Sequence, residues 1–330
     1  MADFLNLPKV SFIVITHNFN DFVCDCLNSI KNQTYKNFEI IVVDDLSGDG
    51  TVDKIQNFIN ENNELTVKFI KNEKNIGQLA SFLEGLKVAD GEFICQIDGD
   101  DVLFPNFCAG HIETHLKTSV ALTTCNQAEI DENNVIHTLY SAENMHLKEK
   151  EFEIENKTWA EFIEYQNAKE VEKSSVAVKV LDNDKYSFAT WHWAPTSSAM
   201  MRKSVCELLL LLKEPQEIKI TADKFVFSFC HLIGSSAVIG KTLFAYRRHS
   251  SNYSLANQVM GNKKYYKEKT QNNYFRNNKK IRSEMFKFIR DNKQEFIEKL
   301  NKTNLMILYK RILFSFDRSF FKGVLKAIFR

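Results

Sequence analysis

The sequence has no glycine-rich phosphate cradle. The segment after the first apolar run, "THNFND", contains no glycine, so GxGxxG is missing where a dinucleotide fold needs it, and GxxxxGK[ST] occurs nowhere in the chain. Both backbone devices for holding phosphate are therefore excluded, and any bound phosphate must be neutralised in another way. Proline is scarce, with 4 residues. No stretch approaches the roughly 20 apolar residues of a membrane span: "VCELLLLL" is too short, and His and Ser interrupt "FVFSFCHLIGSSAVIG". The 7 cysteines are an odd number without a CxxC pair, and Cys95, Cys125, Cys206 and Cys230 sit in apolar runs. That usage predicts buried free thiols in a reducing compartment. The opening "MADFLNLPKVSFIVIT" carries no basic region ahead of its apolar run, so no secretory leader is expected and a cytoplasmic location is.

What is present is a globular composition, 44% hydrophobic and 26% charged over 330 residues. This is enough for one large α/β domain with an extension, or for two modest domains. The net charge of +1 hides an asymmetry: residues 1–250 hold 24 Lys+Arg against 36 Asp+Glu, and residues 251–330 hold 19 against 6. An acidic body thus carries a basic tail, which points to an anionic partner, either a membrane surface or nucleic acid.

The first half alternates strand and helix. "VSFIVIT", "EIIVVD", "TVKFIK" and "EFICQI" are β-branched, apolar runs without strict alternation. Between them, apolar residues recur at helical spacing, as in Phe22, Val23, Cys26, Leu27 and Ile30. Four such steps predict a parallel sheet covered on both faces, whose ligands bind beyond the carboxyl ends of the strands. Farther on, "SVALTTC" and "SSAMMR" read as strands, "TWAEFIEYQ", "KSVCELLLLLK" and "ITADKFVFSFCHLI" as helices, and "SAVIGKTLFAYRRH" as a hairpin-like strand pair. After about residue 255 the chain is basic and helical.

Two of the strand-end loops are acidic. Asp44 and Asp45 close the second strand, and Ser47 or Asp49 can cap the helix that follows. A strand-end Asp can equally accept a hydrogen bond from a nucleotide's ring N–H or ribose hydroxyl. After the fourth strand comes "DGDD", in which Asp98 and Asp100 flank Gly99. One reading is an acidic turn with Asp101 as a helix cap. The other is a divalent-cation site, since Mg²⁺ commonly uses one or two carboxylates together with substrate phosphates and water. In that reading Gly99 lets a diphosphate approach the backbone.

"VSFIVITHN", "IKNQTYKNFEIIVVDDLSGDGT", "NEKNIGQLASFLEGLKVADGEFICQIDGDD", "TADKF" and "YRRHSSNYS" together resemble the family 2 glycosyltransferases of GT-A fold, over residues 8–254. The resemblance implies an α/β, Rossmann-like, mostly parallel sheet flanked by helices. It divides the chain into a catalytic domain over 1–254, with a nucleotide-binding half near 1–125 and an acceptor half near 126–254, and a basic helical extension over 255–330. It also implies an inverting transferase using a nucleoside-diphosphate sugar, UDP-sugar by family frequency, with Mn²⁺ or Mg²⁺. Thr16 and Asn18 would line the nucleotide pocket, and Asp44 or Asp45 would contact base or ribose. Asp98 and Gly99 would meet ribose or sugar, and Asp100 would coordinate the metal. Arg247 and His249 would close over the diphosphate, and Asp223 would be the catalytic base. Two positions depart from the family pattern: Ala222 stands where an acid often precedes the base, and Ser81 where Asn is frequent.

Further candidates come from the residues alone. Trp191, His192 and Trp193 form either an acceptor or sugar platform or part of the core. His111 and His115, spaced i and i+4 without HExxH context, read as an ordinary helix face rather than a metal pair. The tail over 305–330, cationic and rich in Leu, Ile and Phe, either contacts a membrane interface peripherally or packs on protein. No nucleic-acid fold signature accompanies its charge, so no nucleic acid is expected. By analogy with the family it resembles, the acceptor is expected to be a glycan or lipid-linked sugar of bacterial surface glycan synthesis, at the inner face of the cytoplasmic membrane. A homo-oligomer is left open. The competing functions are a sugar-phosphate nucleotidyltransferase, for which "THNFND" offers no basic loop, and a non-catalytic nucleotide- or sugar-binding module.

Overall fold

The computed structural model describes residues 7–140, 157–170, 177–218, 222–249 and 270–314. The four apolar runs form β1 (Val10–Thr16), β2 (Phe38–Asp44), β3 (Val67–Lys71) and β4 (Phe93–Asp98), joined by α1 (Val23–Lys31), α2 (Thr51–Glu61) and α3 (Gln78–Lys87). β1 lies between β2 and β4, parallel to both, and β3 extends the sheet beyond β2. The period-2 alternation of a strand sends β1 side chains to two cores. Phe12 and Val14 pack with Val23 and Leu27 of α1 and Ile55 of α2. Ile13 and Ile15 pack on the other face with Leu79, Phe82, Leu83 and Leu86 of α3. That double coverage explains why the run is apolar throughout, each buried side chain contributing roughly 1.5–3 kcal/mol relative to exposure.

The second half continues the sheet with mixed directions. β5 (Val102–Leu103), β6 (Leu122–Ile130), β9 (Ala199–Arg202) and β10 (Ser236–Arg247) give the order β3-β2-β1-β4-β9-β6-β10-β5. β7 (Ile136–Tyr140) adds to β6 and β8 (Val178–Leu181) to β10. β9 is antiparallel to both of its neighbours, and β10 is parallel to β6. The strand pair expected over 236–249 is one strand. Register shifts between Ile239 and Thr242 and between Thr242 and Phe244 bend β10, so its first half pairs with β8 and its end with β5. Gly240, which reads as a turn in the sequence, sits in this bulged stretch.

Of the remaining helices, α4 (Phe107–Lys117), α5 (Trp159–Glu170) and α7 (Ala222–Gly234) follow the sequence pattern, whereas α6 (Lys203–Cys206) covers only the start of "KSVCELLLLLK" and passes into a 3-10 helix over Glu207–Leu211. On α4, His111 and His115 turn inward, bonded to Thr123 Oγ1 at 2.7 Å and to the Met200 carbonyl at 3.1 Å. Burial pushes both imidazoles below the ordinary histidine range, His115 to about 4, so they are neutral core groups. All seven cysteines are free, and all but Cys24 are buried.

The extension expected over 255–330 is helical where it is described and packs on the body. α8 (Thr270–Asp291) and α9 (Lys293–Phe314, bent at Asn301) bury Met285, Phe288, Ile289, Phe296, Leu308 and Ile312 in the same core as Phe225 and Phe229 of α7. Arg311 fastens α9 to the body through Asp184 Oδ1 at 2.9 Å and the Leu232 carbonyl at 3.1 Å. The first part of the 305–330 segment therefore packs on protein, and residues 315–330 lie outside the described residues. Among the described residues, no helix is long and apolar enough to cross a membrane.

Candidate active site

The predicted residues gather at the carboxyl ends of β1, β2 and β4. The loops after β1 and β2 are tied together by Asn18, whose N–H donates to Ser47 Oγ and whose Oδ1 accepts from the Gly48 N–H, both at 2.8 Å. Asn18 has a left-handed backbone (φ 60), as has Leu46 (φ 66) in the facing loop. Thr16 Oγ1 donates to Asp44 Oδ1 at 3.1 Å, and Asp44 Oδ2 accepts the Ser47 N–H at 3.0 Å. Asp45 does different work. It receives Asn72 Nδ2 and the Ile76 N–H at 2.9 Å and the Gly77 N–H at 2.8 Å, which fixes the entry to α3. Both oxygens of Asp45, like both of Asp44, are thus engaged in shaping the loops. The helix-cap alternative falls to Asp49, which accepts from the N–H and hydroxyl of Thr51.

In "DGDD" the three acids part company. Asp98 lies at the mouth, partly exposed, with Gln78 Nε2 on its Oδ1 at 2.5 Å and Thr196 also bonded to it. Burial, then the charge of Asp100, then that of Asp223 push its carboxyl up to about 7. Asp223, at the start of α7, is near enough for its charge to bear on Asp98, and its Oδ1 accepts the Lys224 N–H at 2.6 Å. Asp100 is buried, with Oδ2 against His249 Nε2 at 2.9 Å. Asp101 is fully buried and is not a cap, since α4 starts six residues later. Its Oδ1 accepts the Arg247 N–H at 2.9 Å, and burial and its acidic neighbours push its carboxyl well above the usual range.

Gly99 has a different reason from the one expected. A Cβ there would stand 2.6 Å from Thr16 Cγ2 and 3.1 Å from the Ile15 carbonyl oxygen, so its missing side chain admits the end of β1.

Arg247 is also a correction. Its guanidinium is fully buried and points into the protein, where Nε donates to the Asp100 carbonyl at 2.8 Å. One terminal nitrogen reaches Asn134 Oδ1 at 2.7 Å and the other Asp25 Oδ2 at 3.1 Å. It lies over the Phe22 ring at 4.9 Å. It braces the acidic loop from behind rather than closing over a diphosphate. His249 does reach the loop, held between the rings of Phe22 and Phe19 at 4.7 and 5.9 Å.

The aromatic trio divides as well. Trp193 is core: it is buried, and its Nε1 donates to Ser236 Oγ at 2.9 Å. Trp191 is half-buried and stacks on Phe227 at 6.0 Å; His192 stands edge-on to Tyr186. Missing from the sequence-based candidates are Gln78, Thr196 and Ser197. Ser197 Oγ accepts the Asp98 N–H at 3.0 Å and faces the Asp101 carboxyl. The only signal for the two hydroxyls is the "TSS" run behind Pro195.

Asp98 and Asp100 offer the carboxylate oxygens that suit Mg²⁺ or Mn²⁺, and His249 an imidazole that Mg²⁺ does not favour. After burial, the charge of Asp100 is what raises the Asp98 carboxyl, and a cation would offset it. Among the described residues no group of three or more His, Cys, Asp or Glu side chains forms a complete cage. A cation here would draw its other ligands from a substrate diphosphate and water.

The sequence model described as Glycosyl transferase family 2 matches residues 11–175, half of the chain. The UDP-Glc:alpha-D-GlcNAc-diphosphoundecaprenol beta-1,3-glucosyltransferase WfgD of Escherichia coli is 30% identical over 136 residues, which is 41% of this chain and 51% of that protein. EpsH of Bacillus subtilis is 34% identical over 124 residues, 38% of this chain and 35% of EpsH. The chain therefore spans roughly a third to a half of these curated relatives. Among solved structures, S. aureus TarS 1–349 in complex with UDP-GlcNAc aligns with TM-score 0.54 and 16% identity, covering 93% of this chain and 81% of that one. The mannosyltransferase PcManGT from Pyrobaculum calidifontis, with GDP-Man and Mn²⁺, aligns at 0.52 and 14%, covering 92% and 74%. At such identities the likeness is one of fold.

Proposed function

The chain belongs to glycosyl transferase family 2, and from that premise we propose that it moves a sugar, with inversion, from a nucleoside-diphosphate sugar to a hydroxyl of a glycan or lipid-linked acceptor. The observation that carries the proposal is the meeting of Asp98, Asp100, His249 and Asp223 at the carboxyl ends of the GT-A sheet. The donor's nucleoside lies over the ends of β1 and β2, near Thr16, Asn18 and Asp44. UDP is the favoured nucleotide, in keeping with WfgD's name and the UDP-GlcNAc held by TarS. WfgD's name makes a diphosphoundecaprenol-linked glycan the favoured acceptor class.

Inversion in one displacement needs a base on the acceptor hydroxyl and charge relief on the leaving diphosphate. Asp223 is the base: it stands at the N-terminal end of α7, close enough to Asp98 for their charges to interact. Asp98, oriented by Gln78 and Thr196, accepts hydrogen bonds from ribose or sugar hydroxyls. Asp100 and His249 would hold a divalent ion, which supplies Lewis-acid neutralisation of the diphosphate. Trp191 offers the one partly exposed indole of the trio for stacking on a sugar.

The test is a donor screen measuring metal-dependent nucleoside-diphosphate release. Asp223→Asn should keep donor binding while transfer falls roughly 10²–10⁴-fold. Asp100→Ala should lose the metal stimulation. Transfer at the wild-type rate by Asp223→Asn would remove the assigned base, and failure to bind any nucleoside-diphosphate sugar would remove the proposal.

A further inference from the structure

The helix that closes the C-terminal core is apolar on two sides. Beyond the bend at Asn301, Leu305, Leu308, Tyr309 and Ile312 recur at i, i+3, i+4 and i+7 and are buried against the body. Met306 and Ile307 lie on the opposite side, 54% and 40% exposed. By helical spacing Lys302, Thr303 and Lys310 share that outward face, and all three are exposed. The helix cannot roll this face inward. Its inner face is occupied, and Arg311 locks the rotation through Asp184 and the Leu232 carbonyl.

We propose that this outward face of α9 is a docking surface for an anionic lipid bilayer, with Met306 and Ile307 entering the acyl boundary and Lys302 and Lys310 meeting headgroups. An apolar centre rimmed by lysines is the pattern of an interfacial helix. Charge favours lipid over a second copy of the chain. From 299 to 330 there are 8 Lys+Arg and one acid, so two copies meeting through this face would set like charge against like. The rest of the molecule repels the same surface, because residues 1–250 carry 36 Asp+Glu against 24 Lys+Arg. An anionic leaflet would therefore orient the protein as well as hold it. Arg311 ties α9 to α7 at Leu232, nine residues, or about 13 Å, along the helix from Asp223. Docking would accordingly hold the base at a fixed height above the headgroups, where a lipid-linked acceptor hydroxyl is presented. That last consequence rests on the proposed transferase reading, while the docking itself does not.

The experiment is co-sedimentation of the full chain with phosphatidylcholine vesicles, with and without one third phosphatidylglycerol, for wild type and Met306→Glu/Ile307→Glu. Both substituted residues are exposed, so thermal stability should be unchanged. Wild type should sediment only with the anionic vesicles, reversibly in salt, and the double variant should bind about ten-fold more weakly. Donor hydrolysis in detergent-free solution should be equal in the two proteins, so a failure of the transferase reading shows separately. Equal sedimentation of both proteins, or none by wild type, would overturn the inference. So would a wild-type dimer in solution that the double variant dissociates, which would assign the face to a second copy.

Discussion

Replacing Arg247 with methionine keeps the stem's packing and removes every bond of the guanidinium, which separates a brace from a ligand-binding arm. The lost contacts are the Asp100 carbonyl at 2.8 Å, the Asp131 carbonyl at 3.3 Å, Asn134 Oδ1 at 2.7 Å and Asp25 Oδ2 at 3.1 Å. Asp25, with a side chain 40% exposed, can rehydrate, so little of the cost falls there. The Asp100 and Asp131 carbonyls and the Asn134 amide are left short of a charged donor, each at about 1–2 kcal/mol. Relief of the buried charge's desolvation offsets part of this, so the net loss should be about 3 kcal/mol. With an unfolding entropy of about 2.1 cal/mol/K per residue, that is a fall of roughly 4 °C in Tm. The Arg247 N–H bond to Asp101 is backbone and survives in any variant. Urea and thermal unfolding would measure the loss, and nucleoside-diphosphate titration would follow the site. Unchanged stability with a large drop in diphosphate affinity would refute the bracing role and return Arg247 to the binding surface.

Gly99→Ala should be costly for its size. The new Cβ meets Thr16 Cγ2 at 2.6 Å, Ile15 O at 3.1 Å and Phe19 Cδ2 at 3.2 Å, so the acidic loop must lift from β1 at about 1–3 kcal/mol. Donor hydrolysis measured well below Tm should fall more than the folded fraction does, and equal rates would contradict the close-packing argument. Glu39 supplies a pH test away from the site. Burial alone would raise its carboxyl, but bonds from Ser11, the Asp90 N–H, Lys68 and Lys9 prevail and hold it at about 2, against an ordinary 4.5. Between those values the unfolded chain binds more protons, so stability should rise with pH through the window and be fully present above it. Glu39→Gln should flatten that rise in urea titrations between pH 2.5 and 5, whereas an unaltered slope would put the acid sensitivity elsewhere.

Much of the site was legible because its signals are local. A strand announces itself by a run of apolar residues, and the residue at which the run stops lies at the sheet's edge; Asp44 and Asp98 needed nothing more. Asp223, by contrast, was singled out only through the resemblance carried by "TADKF". Arg247 was not legible, because which of two adjacent arginines faces inward depends on strand parity, and β10 shifts register twice before reaching them. The shifts turn Arg247 in and leave Arg248 to Glu129 at 2.8 Å. Trp191 and Trp193 posed the same problem without a strand to count along, and Ser236, which claims Trp193, is 43 residues away. On α9 the apolar residues 305 to 309 serve both sides of the helix, so no periodicity could say which side the body would cover.

The partners of the acidic loop explain how three carboxylates tolerate one another. Gln78, Thr196 and Ser197 come from α3 and from the segment before β9, and Arg247 and His249 from the end of β10. None is a sequence neighbour, so the loop takes its shape only after both halves of the sheet have joined. Gln78, Thr196 and Ser197 are neutral donors. They orient Asp98 and Asp101 without supplying positive charge, so burial first and the charge of Asp100 second still hold the Asp98 carboxyl up at about 7. A hydrogen-bonded arrangement that fixes geometry without cancelling charge is destabilising by itself, and it persists because the surrounding contacts over-determine it. Substituting cationic side chains for the neutral donors would relax the loop and would also occupy the place a divalent ion needs. On the proposed transferase reading, this loop, short of positive charge, is where a divalent ion would be held when a donor diphosphate binds.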